Sequence, residues 1–397
     1  MSFQQSRVMI RANLTSLPRR LALSASMALS VALVVSTLAG FLAMARGFEL
    51  ALAGAGSPLV AVVLGGGTNQ ESGSAIPPGT VHALSVLPAN AGLVSDAAGH
   101  LLMSREIVVP VDVADREGGA SRTLALRGMD AAGAAIRERV MLTQGRLFAG
   151  GARDIVIGAR IAREFNLHVG DVLRLGPVDW TVTGEFSAGG SAFESELWAD
   201  LETVRATFDR QGEVQSVKLR LTDPAALITL RENLAKMTET PLTAVSEAEL
   251  YAGQSGRTAG LIRLFGWPLA CLMAIGATAG ALNTMMSSVS DRTVEIATVR
   301  ALGFSRLSAF LATWVEAVLL AAIGTVLGLA LSRLAFNGWQ ASTIGANNAR
   351  MSFDLAVTPD VMVWAGLLGL LIGLLGGALP ALAATRLPLT AALRARG

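Results

Sequence analysis

Residues 288–303 read SVSDRTVEIATVRALG, running from Ser288 through Asp291, Arg292, Glu295 and Arg300 to Gly303, and the chain is apolar on both sides of this charged stretch. Residues 261–288 before it hold a single charged side chain, Arg263, and residues 307–333 after it hold only Glu316 and Arg333. About 20 apolar residues at ~1.5 Å each cross a ~30 Å hydrocarbon core, so each flank is long enough to span a bilayer. Residues 21–45 and 361–384 are two further apolar runs of that kind, without any charge. With 52% hydrophobic and only 16% charged residues among 397, the composition is that of a membrane protein. The reading is an α-helical membrane protein with four transmembrane helices.

Arginine placement orients the helices, because cytoplasmic flanks retain an excess of basic residues. Arg7, Arg11, Arg19 and Arg20 precede the first span without an acidic residue, Arg292, Arg300 and Arg306 lie in residues 289–306, and Arg386, Arg394 and Arg396 lie in residues 385–397. In the loop at 334–360 the one basic residue is Arg350. Both termini, 1–20 and 385–397, are therefore expected in the cytoplasm, with residues 289–306 as a cytoplasmic helix. The first span imitates a secretory signal, but 25 apolar residues exceed the ~7–15 of a signal core, so an uncleaved anchor is expected.

Residues 46–260 form the large extracytoplasmic part. Between Arg46 and Arg257 there are 19 basic and 25 acidic side chains, so the excess of positive charge lies at the membrane flanks, which argues against a nucleic-acid partner. β-Branched or alternating runs at 60–64, 106–113, 123–127, 155–157, 172–175, 180–183 and 217–221 read as strands. Residues 159–165, 201–208 and 224–237 read as helices, the last with Leu227, Leu230, Leu234 and Met237 at three- and four-residue steps. The expectation is a large α+β extracytoplasmic domain inserted between helices 1 and 2. Polar, helix-compatible residues 246–263 lead into the second span as a stalk, with Trp267-Pro268 as a bend. Cys271 is the only cysteine, so no disulfide within the chain is possible.

Leu282-Asn283-Thr284, Ser288-Val289-Ser290-Asp291-Arg292-Thr293, Glu295-Ile296, Arg300-Ala301-Leu302-Gly303 and Glu316-Ala317 resemble the FtsX-like/MacB-like family of ABC transporter permeases. Pro380-Ala381-Leu382-Ala383-Ala384, Pro388 and Ala392-Leu393-Arg394 resemble its C-terminal signature. Gly145-Arg146-Leu147-Phe148, Ile155-Val156-Ile157-Gly158, Ala162, Gly170-Asp171 and Val182-Thr183-Gly184 are similar to the MacB-type periplasmic core domain. Asp291, Val294 and Ala297 depart from the usual glutamate, basic residue and glycine, which lowers the charge of this segment. The resemblance implies a four-span permease of the bacterial inner membrane, a separate cytoplasmic ABC ATPase that binds ATP and Mg, and a second permease copy or paralogue completing a dimer. A periplasmic adaptor and an outer-membrane channel are further partners it admits.

On a continuous helix from Asp291 to Gly303, the side chains of Ile296, Val299 and Gly303 form an apolar stripe between Glu295 and Arg300. Such a stripe can dock in a partner's groove, with charged rim contacts fixing its register, and Asp291 and Arg292 belong to the same set of expected ATPase-coupling residues. A plain arginine-rich loop is the alternative. Glu316, inside the third span, calls for a partner, with Arg306 or the coupling helix nearest in sequence. Gly276 with Gly280, and Gly324 with Gly328, lie at four-residue steps that let helices approach closely, either within one subunit or across a dimer. No Gly-Lys dipeptide occurs, so a Walker A phosphate cradle is absent from this sequence, and no cofactor is expected on the chain. His82, His100 and His168 are isolated, which disfavours a metal site, and no enzymatic motif is present. Export or efflux is the first functional expectation. Lipoprotein or lipid extraction and FtsX-like regulation of a cell-wall hydrolase stand beside it, with a membrane-tethered binding module as a further reading.

Overall fold

The computed structural model describes residues 3–16, 20–88, 91–114, 121–237, 241–345 and 347–386. Arg19, Pro388, Ala392, Leu393, Arg394 and Arg396 lie outside them. In chain order, α1 (Phe3–Ser16) and α2 (Leu21–Ala55) lead to β1 (Val60–Gly65), α3 (Pro78–Ser85), β2 (Met103–Val113), β3 (Arg122–Met129), α4 (Gly133–Ile136) and β4 (Met141–Gly145). There follow β5 (Asp154–Gly158), α5 (Ala159–Glu164), β6 (Val172–Leu175), β7 (Val178–Ser187), β8 (Glu196–Asp200), α6 (Leu201–Thr207), β9 (Ser216–Arg220), α7 (Ala226–Ala235) and β10 (Leu242–Ser246). The chain ends with α8 (Glu247–Asp291), α9 (Thr293–Ala301), α10 (Arg306–Phe336), β11 (Gln340–Ile344), β12 (Arg350–Asp354) and α11 (Pro359–Arg386).

Two compact units result. The helical unit comprises Met1–Arg46, Gly260–Trp339 and Leu355–Gly397, and the sheet unit comprises Gly47–Ala259 with Gln340–Asp354. Helices α2, α8, α10 and α11 are long and apolar enough to cross a membrane. α2 and α8 extend past the apolar windows of the sequence, and α8 runs as one helix with Pro268 inside it. Residues 3–16, read from the sequence only as part of a basic cytoplasmic flank, form α1 and pack on α10.

In the helical unit, Met27, Val31, Val35 and Leu38 of α2 meet Ala270, Ala274, Ala277 and Ala281 of α8 and Ala317, Leu320 and Ala321 of α10. Small residues permit this proximity, since helix association in lipid relies on close packing. A Cβ on Gly324 would come within 2.4 Å of the Ala28 carbonyl oxygen, and one on Gly328 within 2.6 Å of that of Ala32. This glycine pair therefore packs α10 on α2 within the protomer. At Gly276 and Gly280 an added Cβ would meet no atom within 4 Å among the described residues, and both glycines are exposed.

Among the described residues, the sheet unit is built on ten strands in the order β10-β1-β9-β2-β3-β8-β5-β7-β4, with β6 also paired to β7. Pairs β3/β8 and β5/β7 are parallel and the others antiparallel. Strand β5 is buried along its whole length, as its continuous apolar run dictates. One core gathers Ile107, Leu126, Ile155, Trp180 and Leu197; a second gathers Val63, Leu84, Val217, Leu219 and the Leu227, Leu230 and Leu234 stripe of α7. Residues 340–354, expected as part of a short loop, instead form the β11–β12 hairpin of this unit. The Arg160 guanidinium meets Asp354 at 2.9 Å, Ser352 bonds Ser195 at 3.2 Å, and Phe353 stands edge-on to Phe48.

On the face of the sheet opposite these cores lies a buried ionic network, since Glu106, Arg127, Glu196 and Lys218 alternate with Ile107, Leu126, Leu197 and Leu219 along their strands. The Nε and Nη2 of Arg127 each donate to Glu196 at 2.7 Å, and its Nη1 reaches Glu106 at 2.9 Å and Glu71 at 3.2 Å. Arg137 donates to Glu106 at 2.8 Å, and the Lys218 ammonium donates to Glu247 at 2.8 Å, at the first residue of α8. Burial by itself raises the Glu71 carboxyl, but Arg127 and Lys218 outweigh it and hold the group at about 2. Glu106 is likewise held well below the usual carboxylate range, its burial outweighed by Arg137, Lys218 and Arg127.

Removing one partner of such a network leaves charge buried without compensation, at a cost of ~3–5 kcal/mol. Arg127→Ala in the detergent-purified chain is accordingly expected to lower the thermal midpoint reported by the fluorescence of buried Trp180 and Trp198. Because the folded value of Glu71 lies below its unfolded value of about 4.5, its contribution is complete above pH 4.5 and is lost as pH falls toward 2. An acid titration of the same fluorescence should show the loss in that window, and a midpoint above pH 5 would contradict it.

Candidate coupling site

The charged stretch 288–303 folds as an elbow between α8 and α10. The α8 helix stops at Asp291, because Arg292 leaves helical geometry at φ −107°, ψ 12° and starts α9. At the other end, the Gly303 N–H donates to the Arg300 carbonyl and the Phe304 N–H to the Val299 carbonyl. That paired closure requires a left-handed residue after the helix, and Gly303 supplies it at φ +96°. Ser305 then caps α10, its hydroxyl accepting from the Ser308 N–H at 3.2 Å.

The break at Arg292 turns its side chain inward. Its Nη1 donates to Glu316 at 3.0 Å and its Nη2 to the Asn13 side-chain oxygen at 2.7 Å, while the Asn13 amide donates to Glu316 at 3.1 Å. Arg292 and Glu316 are both buried. Arg292, expected among the residues that meet a partner, is instead an internal strut, and of the two alternatives for Glu316 the coupling element supplies its cation, through Arg292, and Arg306 does not. The expected docking stripe changes as well. Ile296 is buried with Met9, Val289, Ala309, Ala312 and Ala384, and Val299 packs against the same group, so that side of α9 is occupied by the chain itself.

What faces outward is different. Asp291, Glu295, Thr298, Ala301, Leu302 and Gly303 are exposed, and Leu302 is 76% exposed. Glu295, Thr298 and Leu302 recur at steps of three and four and so share one face of α9. Glu295 also lies 3.6 Å from the Arg292 Nε, and Arg300 is half-buried. Three contributors are invisible to motif and spacing. Asn13 and Ser6 of α1 bond Glu316 and Ser308, and the Arg20 guanidinium donates to the Ser288 carbonyl and hydroxyl, both at 2.9 Å. In the sequence Arg20 is one more flanking positive charge; nothing in its spacing indicates the end of a helix some 270 residues away.

If Arg292 serves to neutralise Glu316, Arg292→Met should lower the thermal midpoint of the purified chain, and the double replacement Arg292→Met, Glu316→Met should recover most of the loss, because two apolar side chains leave no unmatched charge. Additive losses in the double variant would show that the two side chains act separately.

Comparison with known proteins places these features. Residues 24–237 match the family model of the MacB-like periplasmic core domain, and residues 268–389 match that of the FtsX-like permease C-terminal region. A macrolide export ATP-binding/permease protein MacB from Bordetella avium is 26% identical over 265 residues, which are 62% of this chain and 40% of that protein. The protein of the same name from Vibrio parahaemolyticus is 26% identical over 229 residues, covering 55% of this chain and 34% of the relative. The chain thus spans well under half the length of the curated relatives it matches. Among solved structures, the periplasmic region of MacB from Actinobacillus actinomycetemcomitans aligns with a TM-score of 0.38 at 15% identity, over 50% of this chain and 92% of that one. Four membrane-length helices, a sheet unit and these two matched regions make the chain a multi-pass membrane protein that belongs to the ABC transporter permeases combining a MacB-like periplasmic core domain with an FtsX-like C-terminal region.

Proposed function

We propose that the chain is the membrane subunit of an inner-membrane ABC transporter, with both termini and the α9 elbow in the cytoplasm, moved by an ATPase carried on a separate subunit. The observation that carries this reading is the elbow. Its inner side is fastened by Arg292, Glu316 and Asn13, and its outer side presents Asp291, Glu295, Thr298 and Leu302. A short helix held rigidly from within and apolar at one exposed point is suited to seat in a partner's groove, with acidic groups at its rim fixing register.

Force arriving at α9 passes into α8, whose first residue is tied to the sheet through Lys218 and Glu247. In this reading α8 is the lever and the sheet unit does the work on the outer side. Export is the favoured output, in keeping with the macrolide export named for the relatives, and an adaptor with an outer-membrane channel would complete the path. Extraction of lipoproteins or lipids is the second reading, favoured by the shortage of polar side chains in the four long helices.

The outward face of α9 provides the test. Glu295→Arg combined with Leu302→Asp should abolish co-purification of the ATPase while membrane insertion persists; undiminished association would remove the coupling claim. A second permease copy or paralogue is assigned to the face of α8 carrying Gly276 and Gly280, which the protomer leaves uncovered. Gly276→Leu with Gly280→Leu should shift the detergent-solubilised protein from dimer to monomer by light scattering, whereas Gly324→Leu should impair folding of the protomer itself.

A further inference from the structure

The sheet unit contains a cavity of about 240 Å³ that the coupling reading does not use. Its wall is assembled from Phe48 and Leu52 of α2, Phe193, the first turns of α8 and the β11–β12 hairpin. At ~30 Å³ per water it has room for on the order of eight waters, or for a small organic molecule. Two donors on its lining stand out. Tyr251 is 6% exposed with its ring edge-on to Phe193 at 5.7 Å, and its hydroxyl has no hydrogen-bond partner among the described residues. The Nε of Arg350 is likewise buried and unpartnered among them, although another nitrogen of that guanidinium lies 3.3 Å from Glu164.

Buried polar groups are nearly always bonded, so a donor left open on each of two lining residues calls for an acceptor. Charge selects which kind. The lining has three arginines, Arg127, Arg257 and Arg350, against two carboxylates, Glu71 and Glu196. Those carboxylates are committed: Glu196 accepts twice from Arg127 and once from the Trp198 indole, and Glu71 accepts from Arg127 and from Ser216 at 2.7 Å. With Arg127 and the two carboxylates taken up by one another, the charged groups of the lining that remain are Arg257 and Arg350, which suit an anion.

We propose that this cavity binds a small organic carboxylate with an apolar body, the carboxylate taken by the Tyr251 hydroxyl and the Arg350 guanidinium and the body lying among Phe48, Phe193 and Met351. The site is independent of the coupling reading and would stand if the ATPase assignment failed. Occupancy joins α8 and the hairpin to the sheet through one ligand, which makes the sheet unit responsive to a small anion.

Phenylacetate titrated calorimetrically into the full chain in detergent is the test, with 2-phenylacetamide and phenethylamine as neutral and cationic counterparts. Saturable phenylacetate binding is expected, at least tenfold tighter than either counterpart. Tyr251→Phe, which keeps the ring and removes only the hydroxyl, should weaken it about tenfold, and Arg350→Gln should weaken it further. The thermal midpoint of unliganded Tyr251→Phe should equal or exceed that of the parent, because an unmet hydroxyl is removed; this separates loss of binding from loss of fold. Absence of saturable phenylacetate binding, equal affinity in Tyr251→Phe, or preference for phenethylamine would overturn the assignment.

Discussion

A carboxylate placed inside a helix bundle must be met by a cation, and the meeting of Glu316 with Arg292 sets the shape of the elbow. For Arg292 to reach inward, α8 has to end and α9 has to begin at that residue, and the local backbone does depart from helical geometry there. The same pairing recruits Asn13, which fastens α1 to the bundle. One ion pair thus fixes the boundary of two helices and the position of a third, and it leaves the opposite face of α9 exposed.

The sheet unit solves the same problem on a larger scale. Arg127 lies across from three carboxylates that come from distant parts of the chain. The network reaches Glu247, so the root of α8 is set by charge as much as by packing. Around it, the apolar cores on the sheet supply most of the stability, at ~1.5–3 kcal/mol per fully buried large aliphatic side chain.

Much of this architecture is legible in the sequence, for reasons that differ by element. The four long helices are apolar over most of their length, and the strands β1, β2, β3, β5, β6, β7 and β9 announce themselves through β-branched runs. Strand β4 gives no such signal because all five of its residues are exposed at the sheet edge. Strand β8 hides behind its first residue, Glu196, whose burial makes sense only once Arg127 is beside it. The charged stretch is recognisable as a unit, yet Arg292 and Ile296, expected to meet a partner, turn inward, while Glu295 and Gly303 stay exposed. Periodicity reports which residues share a face; it does not report where a helix breaks to satisfy a charge 24 residues further on.

The hairpin formed by residues 340–354 has a consequence for modularity. Residues 47–259 look like a self-contained insertion in the linear sequence, but a transplant of that segment alone into another permease would leave behind Asp354, the carboxylate on which Arg160 rests, and Phe353, which covers Phe48. Exchange of the sheet unit between relatives by recombination would therefore have to move two separated gene segments together, and drift in one would be constrained by the other.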